Sequence, residues 1–161
     1  MKITDIAQNF LHKLEAADFT EAEGYLAYDF IFIGFVKQPV GKKSFMDLMR
    51  ALLTGIPDLA FNSSDLSPMD NQVTLKIHIT GTHTNDMPPL FPGMPEIRAT
   101  GRRINLPEAT AAFTTRGDRI TQIEAETDLE NNIEGLLEQL GVEIPVGLQT
   151  PIATSTRGER L

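Results

Sequence analysis

The sequence predicts an α+β fold in which N-terminal helices, a strongly curved antiparallel sheet and one closing helix follow one another. Three observations carry this prediction. Ile6, Phe10, Leu11 and Leu14 recur at helical spacing near the start. From residue 59 to 127 the chain reads as successive strands separated by turn residues. Leu129, Ile133, Leu136, Leu137 and Leu140 then share one helical face, and Gly141 sits where a C-capping glycine belongs. Helices grouped apart from strands, rather than alternating with them, mark an α+β arrangement. A twisted sheet wrapped around the early helices makes a cone, and its open end is a natural ligand pocket.

Each element has its own signal. The first helix has Thr4 or Asp5 available as a cap. Thr20 with Glu23 fits a capping box, which starts a second, short helix toward Ala27. "DFIFIGFV" (29–36) is rich in β-branched and aromatic residues and reads as a strand, followed by a turn at "KQPVGK". Ser44 with Asp47 opens a third helix with a buried stripe of Phe45, Leu48, Met49, Leu52 and Leu53, and "GIPDL" ends it. Strands are expected at 59–69, 72–84, 96–106, 109–116 and 119–127. Asp70 and Asn71 turn between the first two, and Arg116, Gly117 and Asp118 between the last two. No repeat or linker divides the chain. Residues 1–142 are expected to be one domain, and 143–161, with Pro145 and Pro151 among small polar residues, an extended or partly disordered tail.

Composition narrows the function. The chain has 161 residues, 41% of them hydrophobic, which suits one soluble domain with one core. A net charge of −8 argues against a nucleic-acid surface and against docking on anionic lipid. The one basic cluster, Arg98, Arg102 and Arg103, is too small for a nucleic-acid footprint. It would suit an anionic ligand, or simply paired charges on a solvated strand. Without cysteine there is no thiol catalysis, disulfide or thiolate metal site. The N-terminus lacks the apolar core of a signal peptide, and no apolar run approaches the roughly 20 residues of a membrane span. The expectation is a cytoplasmic protein that contacts neither nucleic acid nor membrane.

The strand at 72–84 poses the functional question. Val73, Leu75, Ile77 and Ile79 alternate with polar residues, and the same alternation carries Gly81 and His83 onto the apolar face. A loop with Pro88, Pro89, Pro92 and Pro95 follows. The order and spacing of "DFIFIG", "PVGKKSF", "GIPDLAF", "GTHT", "PGMPEIRATGRRI", "GDRI" and "GLLEQLGV" resemble those of the SnoaL-like polyketide cyclases, of the nuclear transport factor two-like superfold, across residues 1–142. The resemblance implies a cone-shaped α+β barrel, often a homodimer through the outer face of its sheet. It implies intramolecular aldol closure of a polyketide ester, without metal or organic cofactor. An acidic side chain near the end of the last strand would act as acid/base, with a histidine of the "GTHT" strand nearby. That histidine is His83. Counting forward from "GDRI" puts the acid at Asp128, and counting back from "GLLEQLG" puts it at Asn132. Strand register favours Asp128. The chain departs from the family pattern at Glu124, where a tryptophan is usual, and in its proline-rich loop.

Each candidate has a plainer role beside the functional one. His83, with an ordinary pKa of about 6.5, would relay a proton or orient the acid; otherwise it is a buried histidine satisfied by backbone. Asp128 would be the base, or the N-cap of the closing helix. Glu124, Glu126 and Asp128 share one strand face and read better as solvated acids than as a metal site. Ile123 and Ala125 form the opposite, apolar set, so an inward Asp128 needs an acidic inner face or a bulge. Met87, Leu90, Phe91 and Met94 form either a stiff lid over an oily ligand or a loop folded on its own core. Tyr28 offers a hydroxyl to an oxyanion or packs with it at the surface. The candidate pocket is thus Tyr28, Phe32, Met87, Phe91 and Glu126, taking a mid-sized apolar carbonyl compound. The rival reading is a non-catalytic homodimer that binds a hydrophobic ligand.

Overall fold

The computed structural model of the chain describes residues 1–127 and 132–142. Helices α1 (Ile3–Glu15), α2 (Phe19–Gly24) and α3 (Lys42–Gly55) surround strands β1 (Leu26–Ile33) and β2 (Val40–Gly41) in the sequence. Strands β3 (Ser64–Met69), β4 (Gln72–Ile77), β5 (Thr80–Thr82), β6 (Arg103–Asn105), β7 (Ala109–Arg116) and β8 (Arg119–Glu126) follow, and α4 (Ile133–Leu140) closes the order. The expected α+β arrangement is therefore present. The predicted tail at 143–161 lies outside the described residues.

Capping decides where the helices begin. Asp18 accepts a hydrogen bond from the Glu21 amide and starts α2 ahead of the predicted Thr20 box. Asn132 accepts from the Glu134 and Gly135 amides and caps α4. The predicted cap for that helix was Asp128, which lies outside the described residues. Gly141 ends α4 at φ 74°, a left-handed conformation that a side chain disfavours. Neither α1 nor α3 has a side-chain cap. Their stability comes from the buried face, on which Phe10 and Leu48 are wholly inaccessible.

The main sheet has the order β2-β1-β8-β7-β4-β3. It is not purely antiparallel as expected, because β1 runs parallel to β8, pairing Phe32 with Ile123 and Ile33 with Glu124. The predicted strand 72–84 is also broken. β4 ends at Ile77, and β5 pairs with β6 in a separate two-stranded ribbon. At the break the His78 amide donates to the Phe61 carbonyl, and Ala60 bridges Thr80. The predicted strand 96–106 shrinks to β6.

The core has two parts. The larger lies between the helices and the inner face of the sheet, where the Phe45 ring sits 5.0 Å from those of Phe30 and Phe32 and 6.2 Å from that of Phe10. Burying such an aromatic side chain stabilises by roughly 1.5–3 kcal/mol. The smaller part is the proline-rich loop. Met87 and Ile97 exchange backbone hydrogen bonds, and their side chains bury with those of Leu90 and Met94. Met87 rests on Gly55 so closely that a Cβ there would lie 2.5 Å from the Met87 Cβ. This approach is why α3 ends on glycine.

Candidate functional site

A cavity of about 100 Å³ lies inside the cone. Phe10, Leu11 and Leu14 of α1 and Met49 and Leu52 of α3 wall one side. Phe32, Ala111, Phe113, Ile123 and Ala125 of the sheet wall the other, and Leu136 of α4 adds to them. Alternation along each strand puts these apolar residues on one face. Ala111 and Ala125 are register partners across β7 and β8. Two small side chains at one level of the sheet leave space where larger ones would fill the core.

The lining is almost free of polar groups. Thr127 carries the only hydroxyl among the described residues that line it, and Thr127 Oγ1 donates to the Gly34 carbonyl. Among the described residues, no ionisable side chain lines the cavity. Nor does any group of three or more His, Asp and Glu come together to hold a metal ion among the described residues.

The predicted site residues scatter. Phe32 lines the cavity. Tyr28 does not: it is 86% exposed on the outside of β1, with the Arg116 guanidinium over its ring. Arg116 also pairs through both terminal nitrogens with Asp29, whose carboxyl it holds below the usual range. Glu126 is exposed with Glu124, on the face opposite Ala125. A bulge does occur in β8, between the pairs Thr114–Gln122 and Thr115–Ile120. It falls before Ile123, so both glutamates stay outside. Met87 and Phe91 belong to the loop and are absent from the cavity wall, so the loop is no lid for it. Asp128 lies outside the described residues. Asn132, the alternative position for the acid, is buried and spends its side-chain oxygen on the α4 cap.

His83 is wholly buried, though not in the cavity. It follows β5 and packs under the loop. Its backbone amide donates to the Arg102 carbonyl, and its carbonyl accepts from the Gly101 amide. Nδ1 accepts from the Thr100 amide at 3.3 Å and lies 3.0 Å from Thr100 Oγ1. Accepting at Nδ1 places the proton on Nε2. Nε2 is buried without a hydrogen-bond partner. Burial holds the ring's pKa below 6.5. The backbone of Ile97, the charge of Asp86 and the backbone of Asn85 pull the other way without cancelling that effect.

Sequence reasoning foresaw that His83 faces inward. It missed the two small residues, Ala111 and Ala125, that hollow the cone. The signal was visible: "ATAAF" and "IEAET" put alanines at inward positions of neighbouring strands.

Structural comparison places the fold. A SnoaL-like polyketide cyclase from Agrobacterium tumefaciens is 20% identical, with a TM-score of 0.61 over 85% of this chain and 98% of that one. TsrD from Streptomyces laurentii is 19% identical, with a TM-score of 0.65 over 88% of this chain and 96% of that one. An uncharacterized cystatin-fold protein from Novosphingobium aromaticivorans is 17% identical, with a TM-score of 0.57 over 78% and 97%. At these identities the likeness concerns the fold alone. No curated protein sequence matches the chain. Among the described residues, no helix is long and apolar enough to cross a membrane. The SnoaL-like domain profile matches residues 7–123, nearly the whole of the helices and sheet that enclose the cavity, and on that match the chain belongs to the SnoaL-like domain family.

Proposed function

We propose that the cone binds a small apolar molecule, or the apolar end of a larger one, without acid/base chemistry from the described residues that line it. One observation carries this reading: the described residues wall the cavity with hydrocarbon, and the single hydroxyl among them is already bonded to Gly34. A proton-transfer catalyst must reach its substrate within hydrogen-bond distance or through one water. Neither His83 nor any described carboxylate lines the cavity. Size sharpens the reading. Pockets for drug-sized ligands run to about 300–1,000 Å³, and an apolar cavity of about 150 Å³ binds benzene. At about 100 Å³ the cone suits a short hydrocarbon segment. A mid-sized carbonyl compound would leave its carbonyl outside.

Titration with benzene or xenon, followed through methyl resonances of Leu11, Leu14 and Ile123, tests this. Shifts confined to the cavity wall support it, together with a stabilisation that reaches ~2.7 kcal/mol at a hundredfold excess over Kd. Unmoved wall resonances overturn it.

A second reading has one observation in its favour. Thr127 lines the cavity, and Asp128 is the next residue. An acid/base role for Asp128 would show as accelerated deuterium exchange at the α-carbon of a simple ketone, lost in Asp128→Asn. That result would displace the non-catalytic reading. The homodimer implied by the family resemblance is proposed alongside. Its surface would be the outer face of the sheet, where Ile31 and Ile33 are half-buried beside Gln122 and Glu124. Ile33→Glu would then give a monomer by light scattering.

A further inference from the structure

His83 has no part in the cavity, yet the fold spends its deepest polar burial on it. The ring is wholly inaccessible, its Nδ1 takes the Thr100 amide, and its Nε2–H has no partner. Thr100 is in turn tied back, since its Oγ1 accepts from the Arg102 amide. The His83 backbone bonds both Gly101 and Arg102. The end of the loop's return path, residues 100–102, thus converges on one histidine. Asp86 supplies a second tie inside the loop by accepting from the Ala99 amide.

This arrangement favours the neutral ring, because burial outweighs the Ile97 and Asn85 backbone groups and the Asp86 charge that favour the cation. An added proton would have to sit on Nδ1, which would then lose the Thr100 N–H bond and keep only Thr100 Oγ1 as an acceptor. The resulting cation would be buried, and a buried charge is strongly disfavoured unless it is paired. The charged groups around it do not pair it. Asp86 acts on the ring only at a distance, and no carboxylate among the described residues forms an ion pair with it. Asp58, in the turn after α3, is engaged by the Thr82 amide. The Arg102 guanidinium turns toward α4, where it meets the Gln139 carbonyl and Gly141. Arg98 and Arg103 are exposed and carry the same sign as the protonated ring.

We propose that His83 is an acid-sensitive latch: while neutral it pins the 84–100 loop to the β5–β6 ribbon, and on protonation it releases the loop. Release bares Met87, Leu90, Met94 and Ile97, together with Gly55 and Ile56 at the end of α3, as one apolar surface. The direction of the pH dependence follows from linkage. The ring's pKa is lower with the loop closed than with it open, so the open state binds the proton first as pH falls. The loop is fully latched above about 6.5 and loosens below it, until the pH passes the closed-state pKa.

Hydrogen exchange on the full chain tests the latch. The Met87 and Ile97 amides bond each other's carbonyls and report on the closed loop. Their opening constant, corrected for the intrinsic exchange rate, should rise up to about fivefold between pH 6.5 and 5.5. Amides between the paired strands β4 and β7 should stay flat. His83→Gln, which keeps an acceptor for Thr100 but does not titrate, should abolish the rise. A flat wild-type response overturns the proposal, and so does an equal rise in the variant. Should His83→Gln leave the loop unprotected at every pH, NMR titration of the wild-type ring decides. A His83 pKa below 6.5, in step with loop opening, supports the latch, and one at or above 6.5 overturns it. The chain has three histidines, so the resonance is assigned with His12→Gln and His78→Gln.

Discussion

The cone and the loop layer are both buried and both apolar, but they treat volume in opposite ways. In the cone, Ala111 and Ala125 sit side by side on adjacent strands and leave about 100 Å³ open. In the loop layer there is no slack. A Cβ on Gly55 would meet Met87 at 2.5 Å, and one on Gly81 would meet Ile56 Cγ2 at 2.4 Å. Interiors normally pack to the density of organic crystals. The loop layer obeys that rule and the cone departs from it, in the same small chain. Packing limits alone therefore do not account for the empty space, and the proposed ligand site would.

The largest effect that would test this contrast is loss of the loop's own anchor. Met87 is wholly buried against Gly55. Met87→Ala should cost ~2–5 kcal/mol, because a well-packed site collapses poorly around a deletion. Urea denaturation measures it. A cost below 1 kcal/mol would mean that the loop adds little to the fold, and the contrast would fail.

Adding volume comes next. Gly81→Ala should cost ~1–3 kcal/mol, as overpacking usually does. The ordinary φ at Gly81 keeps backbone strain out of the comparison, so the cost reports the clash with Ile56. A stabilised variant would show that the loop layer yields after all.

Asn132→Ala should cost about 1 kcal/mol, the usual worth of an N-cap. The residue marks how far the site was legible. Sequence spacing left the acid at Asp128 or Asn132, and Asn132 proves to be the cap. A capping asparagine and a catalytic acid ask for the same place before a helix, so residue type alone does not separate them. Other elements were plain in the sequence because local chemistry fixes them. The turn at Arg116, Gly117 and Asp118 and the C-cap at Gly141 are such cases. The break after Ile77 was not legible. Apolar alternation continues through Ile79 and Gly81, and only the Phe61 and Ala60 backbone, arriving from elsewhere in the chain, diverts the strand into a second ribbon. Parity correctly turned His83 inward but could not say which part of the core it entered. Pairing partners decide that, and they are remote in sequence.

The smallest loss in stability should come from filling the cone, and it is the most informative of the four. Ala111→Val adds two methyl groups to a strand position that already faces open space. β-branched residues suit strands, and burying new apolar atoms in a void stabilises by roughly 0.8 kcal/mol for each methylene-sized group. The variant should therefore match or slightly exceed the wild type in urea, in contrast to Gly81→Ala. Its affinity for benzene should fall steeply, because the added groups occupy the volume the ligand would take. If Ala111→Val instead destabilises as much as Gly81→Ala, the wall around Ala111 is as tight as the loop layer and the space is not usable. If stability holds and benzene still binds unchanged, the ligand sits elsewhere. Only unchanged stability with lost binding ties the function of this chain to the gap left by Ala111 and Ala125.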